Sequence, residues 1–250
     1  MTKWIPAKIK EIKYWKKNLL NLVLKASINK FIAGQFSKIL LKNSKKKIKI
    51  QRAYSFVNPP STNRIEFYIT LIKKGKMSEE LKILNKNTKI FITKNSFGFF
   101  TLNEIPSYQN LWMCSTGTAI GPYFSILQEK KDTERFSKII LIHSVRYFSD
   151  LKYLNVIKKL KKIYQKKLIV LITISREKKH GFFSERIPNL LLNKKIEKYT
   201  NLEMNYKNSH VMLCGNPNMV KDMFHILQKK KKMTKNLRKK PGNITRENYW

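Results

Sequence analysis

The strongest constraint on the fold is a regular alternation of apolar, strand-like runs with helical patterns from about residue 108 onward. The predicted strands cover residues 111–115, 138–144, 168–174 and 210–214. The helices that follow them are predicted from about residue 119, and over residues 150–165, 185–192 and 217–227. Strands that are connected through helices run parallel, so this half of the chain predicts a parallel sheet with helices on both faces.

The first hundred residues follow a different pattern, in which short strand-like runs are separated by turn residues such as Gly34, Pro59 and Gly75. Candidate strands cover residues 5–12, 19–25, 35–41, 48–56, 65–72 and 88–92, and one short helix covers residues 77–84. Many short strands at this spacing predict a closed antiparallel β-barrel. We therefore predict two domains, a barrel over residues 1–105 and an α/β domain over residues 106–250.

The composition indicates a folded protein without a membrane segment. Of the 250 residues, 42% are hydrophobic, which is enough for a substantial core. No apolar run approaches the ~18 residues of a membrane span, and we identify no signal peptide. Cys114 and Cys214 form neither a disulfide framework nor a zinc pattern. We therefore expect a reduced, cytoplasmic setting.

The formal net charge of +38 has two interpretations. Nucleic-acid binding through phosphate contacts is one of them. The other is compositional bias, because 45 of the 53 basic residues are lysine and the chain is also rich in Ile and Asn. Lysines are spread along most of the chain, which favours bias. A basic surface is also suited to an acidic protein partner.

The sequence is poor in the groups that hydrolytic and metal-dependent enzymes need. Asp132, Asp150 and Asp222 are its only aspartates, and the four histidines show no metal-ligand spacing. No GxSxG motif is present. These features argue against a carboxylate-pair hydrolase, a catalytic triad and a metal site.

A glycine-containing segment follows the first strand of the predicted parallel sheet. In such sheets ligands bind beyond the carboxyl ends of the strands. The segment STGTAIGP, residues 115–122, would let a ligand approach the backbone closely, and the following helix start favours a pyrophosphate. It matches neither GxGxxG nor the P-loop pattern, so by itself it does not define the ligand.

Arginines follow the second and third strands of this sheet. NAD-binding domains place an acidic residue about 20 positions after the glycines, but here the region reads LIHSVR and ends in Arg146. Arg176 ends the next strand, and Arg186 follows it. Because arginine is rare in this chain, three arginines near one edge favour the 2′-phosphate of NADP. Exposed arginines of a basic protein are the alternative.

The segment RAYS at residues 52–55 combines a planar cation, an aromatic ring and a hydroxyl group. On a strand, Arg52 and Tyr54 share one face and Ser55 lies on the other. This set suits a flat, anionic ligand, because guanidinium pairs with phosphate and the ring offers a stacking surface. An edge strand with an exposed arginine and a half-buried tyrosine is the alternative.

Seven motifs occur together in a recognisable order. They are RAYS (52–55), GKMS (75–78), GFFTL (98–102), GTAIGP (117–122), SRE (175–177), CGNP (214–217) and ENYW (247–250). The ordered set resembles the bacterial ferredoxin/flavodoxin–NADP reductases over essentially the whole chain. The resemblance implies an N-terminal antiparallel β-barrel that binds FAD and a C-terminal α/β, Rossmann-like parallel-sheet domain that binds NADP.

The resemblance also implies roles for individual residues. Tyr54 would stack on the isoalloxazine ring, Ser55 would bond to flavin N5, and Cys214 would lie near the nicotinamide, so these three are the predicted catalytic residues. Further FAD contacts are predicted for Arg52, Ala53, Tyr68, Lys76, Met77, Ser78 and Thr118. NADP contacts are predicted for Val145, Arg146, Ser175, Arg176, Arg186 and Asn216.

The end of the chain departs from the plant-type pattern, which finishes in one tyrosine over the flavin. This chain continues to Tyr249 and Trp250. The resemblance implies that the tail folds back on FAD with Trp250 toward the adenine, through Arg246, Glu247, Asn248, Tyr249 and Trp250. A docked hydrophobic terminus is the alternative.

The implied activity is electron transfer between NADPH and flavodoxin or ferredoxin, with hydride passing to FAD and electrons leaving singly. A flavin-dependent NADPH reductase of small molecules would share nearly every motif. A basic nucleic-acid-binding protein would explain the charge but not the ordered motifs. We expect an acidic electron carrier as the partner, no specific nucleic acid, and a monomer.

Overall fold

The computed structural model describes the backbone of residues 2–43 and 48–249 and the side chains of residues 2–42 and 49–249. The chain divides into two compact units. The barrel unit comprises Met1–Thr101 and Gly121–Glu129, and the sheet unit comprises Leu102–Ile120 and Lys130–Trp250. The domain limits 1–105 and 106–250 stay a prediction.

The barrel unit contains six strands in one antiparallel sheet. Its elements are β1 (Trp4–Lys16), β2 (Leu19–Lys25), β3 (Phe36–Asn43), β4 (Ile48–Ser55), β5 (Ile65–Thr70), helix α1 (Lys76–Lys82) and β6 (Ile90–Thr93). The strand order is β4-β3-β6-β1-β2-β5, and an antiparallel bridge between Phe56 and Phe67 brings the two edge strands together. This arrangement confirms the predicted antiparallel barrel.

Aromatic side chains organise the interior of the barrel unit. Phe31 stacks on Phe56 with ring centroids 3.9 Å apart, and Phe56 lies 5.4 Å from Phe67. Phe67 also contacts Tyr54 at 6.2 Å. Rings of this size dominate the burial energy of a small core, so these contacts fix the end of β4, where the RAYS motif lies.

The sheet unit contains five parallel strands in the order β11-β10-β7-β8-β9. The strands are β7 (Asn110–Thr116), β8 (Lys138–Val145), β9 (Leu168–Ile174), β10 (Ser209–Gly215) and β11 (Ile244–Asn248). The helices of the sheet unit are α3 (Leu154–Tyr164), α4 (Ile187–Leu192), α5 (Lys195–Thr200) and α6 (Pro217–Lys231), whereas α2 (Gly121–Glu129) follows β7 in sequence but belongs to the barrel unit. The predicted parallel α/β arrangement is confirmed.

The order of these strands places a topological switch point between β7 and β10. The chain moves from β7 to β8 and β9 on one side, and then returns to β10 on the other side of β7. In open α/β sheets the crevice at the carboxyl ends of such strands is the usual ligand site. The segments that follow Thr116 and Gly215 lie at this position.

The boundaries of some elements differ from the predictions for local reasons. The helix predicted from residue 150 begins at Leu154, because residues 148–150 form a short 3₁₀ turn in which Asp150 accepts a hydrogen bond from the Tyr147 amide. A 3₁₀ turn over Gly117–Ile120 likewise delays α2 to Gly121. Helix α5 and strand β11 were not predicted. Within the described residues, no helix has the length and apolar character needed to cross a membrane.

Candidate functional site

The loops at the switch point are joined by a hydrogen bond between Thr116 and Asn216. The Asn216 amide donates to Thr116 Oγ1 at 2.8 Å. Gly215 allows this approach, because its φ is +141° and a Cβ at this position would lie 2.2 Å from Thr116 Oγ1. The two loops therefore meet at a distance that only glycine permits.

The surface of this loop pair exposes backbone to a ligand. Gly117 has φ +56°, and a Cβ built there would meet no atom of the described residues within 4 Å, so open space faces its Cα. Asn216 caps helix α6, because its side chain accepts from the amides of Asn218 and Met219. Thr118 is buried in the 3₁₀ turn Gly117–Ile120, which connects β7 to α2. The result is a fixed backbone cradle that a flat or phosphate-bearing group can approach.

The ends of β8 and β9 hold the predicted NADP arginines beside one another. The Arg176 amide donates to the Arg146 carbonyl at 3.0 Å, and the Ser175 amide donates to the Val145 carbonyl at 2.9 Å. Val145 is buried, whereas both guanidinium groups lie on the exposed surface. The structure therefore brings together four of the residues predicted to contact NADP.

Arg186 reaches the same edge through a segment that follows β9. The Ile174 amide donates to the Phe183 carbonyl at 2.8 Å, and Thr173 Oγ1 donates to the Glu185 carbonyl. This anchoring places the exposed Arg186 directly before helix α4. Among the described residues, no ion pair joins Arg146, Arg176 or Arg186 to a carboxylate.

Nearby carboxylates are engaged by other groups. Glu177 accepts from the Phe148 amide at 2.6 Å. Glu185 pairs with Lys195, and the hydrogen bond from Lys195 is the main reason that the pKa of Glu185 lies below its usual value. The arginine-bearing edge is therefore suited to a multiply charged anion such as a phosphate monoester.

Cys214 is fully buried in β10, with Glu247 of β11 as its register partner. Burial raises the pKa of the Cys214 thiol well above its usual value, and the charge of Glu247 raises it further. The thiol is therefore neutral near pH 7. A protonated thiol is a small polar contact and a weak hydrogen-bond donor, and it is not a thiolate nucleophile.

In the barrel unit, the RAYS residues lie on β4 as predicted. Arg52 is exposed and donates to the Gln51 carbonyl at 2.8 Å. The register pairs Tyr54 with Ser37 and Ser55 with Phe36, so Tyr54 and Ser55 face opposite sides of the sheet. Burial raises the pKa of Tyr54, although Arg52 opposes this effect. The phenol is therefore neutral, and Ser55 is buried.

The remaining barrel residues predicted to contact FAD lie on β4, on β5 and at the start of α1. Ala53 is exposed on β4 beside Arg52, and Tyr68 is buried on β5 opposite Asn21. Lys76 is exposed, whereas Met77 and Ser78 are buried. Ser78 Oγ accepts from the Ile72 amide at 2.8 Å, which fixes the turn that precedes α1.

The C-terminal residues form an edge strand that was not predicted. Cys214 pairs with Glu247 and Gly215 pairs with Asn248, and the Tyr249 amide donates to the Gly215 carbonyl at 2.9 Å. The Arg246 guanidinium lies 4.3 Å from the centre of the Phe224 ring on α6. Trp250 lies outside the described residues.

Two residues of this site were missed by the sequence analysis. Thr116 and Gly215 form the contact between the loops, and although both lie in predicted ligand-site segments, neither was singled out as a site residue. The sequence contains a signal for each of them. Gly215 directly precedes the Asn-Pro pair that begins a helix, and Thr116 directly precedes the first glycine of GTAIGP. The described residues contain no group of three or more His, Cys, Asp or Glu side chains able to hold a metal ion.

Comparisons with known proteins agree with this geometry. Residues 113–225 match the model of the oxidoreductase NAD-binding domain. A flavodoxin/ferredoxin–NADP reductase of Buchnera aphidicola subsp. Baizongia pistaciae (strain Bp) is 53% identical over the full length of both chains. The corresponding protein of Escherichia coli (strain K12) is 42% identical, also over the full length of both.

A solved structure extends the likeness to three dimensions. A ferredoxin NADP+ reductase from Neisseria gonorrhoeae, with bound FAD and NADP, superimposes with a TM-score of 0.89 and 30% sequence identity. The match covers 99% of this chain and 99% of that chain. Full-length identity and the shared two-part fold lead to one conclusion: the chain belongs to the flavodoxin/ferredoxin–NADP reductase family.

Proposed function

We propose that this protein transfers electrons between NADPH and a flavodoxin or ferredoxin, with FAD as its resident cofactor. The observation that carries the proposal is the joined loop pair at the switch point, on the same sheet as three arginines that follow β8 and β9. A backbone cradle and a cationic edge are the two features that a phosphorylated dinucleotide requires. Family membership supplies the reaction class.

The residues of the sheet unit fit NADP(H). A Cβ at Gly117 would fill the open cradle, and a Cβ at Gly215 would push the two loops apart. Arg146, Arg176 and Arg186 offer planar forks that match a 2′-phosphate, and Ser175 directly precedes Arg176. Asn216 would contact the nicotinamide end, where the neutral Cys214 thiol would orient the ring.

The residues of the barrel unit fit FAD. Arg52 would pair with the pyrophosphate, and the neutral ring of Tyr54 offers a stacking surface that carries no charge. The first turn of α1 presents backbone amides at Lys76, Met77 and Ser78. When bound, FAD supplies the chemistry that connects a two-electron donor to a one-electron acceptor.

The chain's own residues bind and orient the cofactors and exclude water. Tyr54 and Ser55 project from opposite faces of β4, so one would hold the flat face of the flavin and the other its edge. Ala53 and Tyr68 would complete the flavin contacts of the barrel unit, and Thr118 those of the sheet unit. No side chain in this arrangement has to become ionised or to act as a nucleophile.

The C-terminal residues are proposed to contact FAD as well. Strand β11 ends at Asn248, and the bond from Tyr249 to Gly215 fixes where the chain leaves the sheet. We propose that Glu247, Asn248 and Tyr249 contact the flavin and that Trp250 covers the adenine. Arg246 would contribute its charge, although its guanidinium also contacts Phe224.

An acidic electron carrier is the proposed partner, and the protein is proposed to act as a monomer. The net charge of +38 favours encounter with an acidic protein through long-range attraction. A specific role in nucleic-acid binding is not needed to explain the ordered motifs. The cytoplasmic location stays a prediction.

A comparison of electron acceptors tests the proposal against its nearest alternative, a flavin-dependent reductase of small molecules. Purified protein should show flavin absorbance at close to one FAD per chain. NADPH should then reduce flavodoxin with a kcat/KM well above that for small quinones or nitro compounds. Efficient turnover of small acceptors together with failure to reduce either carrier would favour the alternative.

A further inference from the structure

A large cavity in the barrel unit is lined by residues to which the proposed function gives no role. Its volume is about 1230 Å³. Its walls come from four segments of the chain. These are residues 6–8 of β1, 25–31 from the end of β2 onward, 60 and 62–65 up to the start of β5, and 86–91 up to the first residues of β6. Of the proposed FAD and NADP contacts that the structure describes, none is among its lining residues. The cavity is therefore not explained by electron transfer between NADPH and the carrier.

The lining of this cavity is strongly cationic. Its charged residues are Lys8, Lys25, Lys30, Arg64, Lys86 and Lys89, and its described lining contains no Asp or Glu. Among the described ion pairs, only Arg64 of these six cations has a carboxylate partner, with its Nε 2.9 Å from Glu66 Oε2. Five lysines on three wall segments, with Arg64 on the fourth, therefore surround one concave space. Several cations that converge in this way favour an anion with more than one charge.

Two of these lysines are direct neighbours on adjacent strands. Lys8 of β1 pairs with Lys25 of β2 in an antiparallel register, so their side chains lie on the same face. Like charges directly opposite one another destabilise a strand pair. An anion bound between them would remove this repulsion.

The floor of the cavity is apolar and its walls are preformed. Phe31 lines the floor, and its ring is fixed by stacking on Phe56 at 3.9 Å. Asn29 is held by two bonds, from its amide to the Lys94 carbonyl at 2.8 Å and from Nδ2 to Asn95 Oδ1 at 2.7 Å. Further apolar lining residues are Ala7, Ala26, Ile28, Ile65 and Ile90. A cavity of this kind needs little rearrangement to accept a ligand.

We propose that this cavity binds a nucleoside polyphosphate. Its phosphate chain would lie among the lysines, and its organic body would cover the apolar floor beside Phe31. An inorganic polyphosphate would leave the floor uncovered, and an anion with a single charge would leave most of the cations uncompensated. The cavity volume exceeds the roughly 300–1,000 Å³ of ordinary ligand sites, so a nucleotide fits with water around it.

Isothermal titration calorimetry tests the proposal with three probes: ATP, pyrophosphate and adenosine. The titrated protein is the FAD-loaded full chain carrying Arg146→Ala and Arg176→Ala, which weakens nucleotide binding at the arginine edge. Salt is kept at 0.15 M, so that exposed charges are screened beyond about 8 Å. We expect one ATP per chain, weaker binding of pyrophosphate and weaker binding still of adenosine. Equal affinities for ATP and pyrophosphate would overturn the nucleoside assignment.

Substitution of the paired lysines locates the site. In the same background, Lys8→Gln with Lys25→Gln should weaken ATP binding roughly ten-fold or more, because charged contacts to phosphate are lost. The matched control is Lys158→Gln with Lys162→Gln, two exposed lysines of α3 outside the cavity. The Tm without ATP should not fall in the first variant, because a like-charge pair has been removed. ATP binding that is the same in both variants, or absent before substitution, would overturn the proposal.

Discussion

The amide of Asn216 donates to Thr116 Oγ1 at 2.8 Å, and this bond joins the loops that follow β10 and β7. The two strands are neighbours in the sheet, although a hundred residues separate them in sequence. The bond therefore fixes the width of the crevice at the switch point. Its removal gives the first test of the proposed NADP site.

Thr116→Val keeps the shape of the side chain and removes the acceptor of the Asn216 amide. We expect the free energy of unfolding to fall by about 1 kcal/mol, since a partly buried donor loses its partner. The KM for NADPH should rise because the loops separate. Steady-state kinetics and urea unfolding measure the two effects. Thr200→Val, which removes a hydroxyl bonded to the Ile196 carbonyl at 2.9 Å, is the control and should leave this KM unchanged.

Gly215→Ala should disrupt the same crevice for a steric reason. The new Cβ would lie 2.2 Å from Thr116 Oγ1, and the backbone would also be strained at φ +141°. Gly181→Ala provides the matched control, because φ there is +82° but no atom in the described part of the chain lies within 4 Å of the new Cβ. Strain alone costs about 1–3 kcal/mol. A larger loss of stability and of NADPH affinity for Gly215→Ala is therefore expected, and equal losses would show that the close approach has no effect.

Arg176→Ala tests whether this arginine contacts the 2′-phosphate of NADPH. A charged hydrogen bond to phosphate is worth about 1.5–3 kcal/mol, so the ratio of kcat/KM for NADPH over NADH should fall by roughly ten-fold or more. Arg238→Ala is the control, because this exposed side chain pairs instead with Glu104 at 3.2 Å. If the ratio is the same in both variants, Arg176 does not contact the 2′-phosphate.

A buried histidine gives a pH dependence of stability with a defined sign. Burial lowers the pKa of His143 to about 4, and its ring contacts Ser115 Oγ at 3.0 Å. The folded state therefore holds the neutral ring, whereas the unfolded chain binds a proton near its usual pKa of about 6.5. The unfolded state takes up more protons between these two values, so stability falls as pH decreases through this window.

His143→Gln should reduce this dependence. Between pH 6.5 and 5, a single buried histidine of this kind contributes a loss of roughly 1.5 kcal/mol, which the variant should not show. The pKa of His210 is also lowered, to about 3, mainly by burial and further by the charge of Arg135. Part of the slope should therefore remain in the variant. Urea unfolding at several pH values measures the slopes. An unchanged slope in His143→Gln would show that the ring is already charged in the folded protein.

Four strands of the parallel sheet could be predicted from the sequence, because they are apolar along most of their length. Strand β9 begins and ends where the pattern predicted, since LIVLITI is a short apolar run rich in β-branched residues, which is typical of a strand. Strand β11 was missed because ITREN is an edge strand with polar side chains, and only Ile244 of its five residues is buried. Its position depends on pairing with β10, which is a long-range contact that local periodicity does not report.

Some of the candidate site residues could be predicted from the sequence and others could not. Arg52, Arg146 and Arg176 could be predicted, because arginine is rare in a chain dominated by lysine. The bond between Thr116 and Asn216 could not, because it depends on the register of two strands distant in sequence. The cationic cavity was also not predicted, since its lysines come from three separate segments and do not stand out in a chain with such a high lysine content.

The most direct test of the proposed function is anaerobic stopped-flow mixing of the FAD-loaded protein with NADPH and oxidised flavodoxin. We expect flavodoxin to be reduced only when the protein and NADPH are both present, with NADPH preferred over NADH. The rate of carrier reduction should fall as ionic strength rises, because the lysine-rich surface attracts an acidic partner. Oxidation of NADPH without reduction of flavodoxin or ferredoxin at any salt concentration would contradict the account.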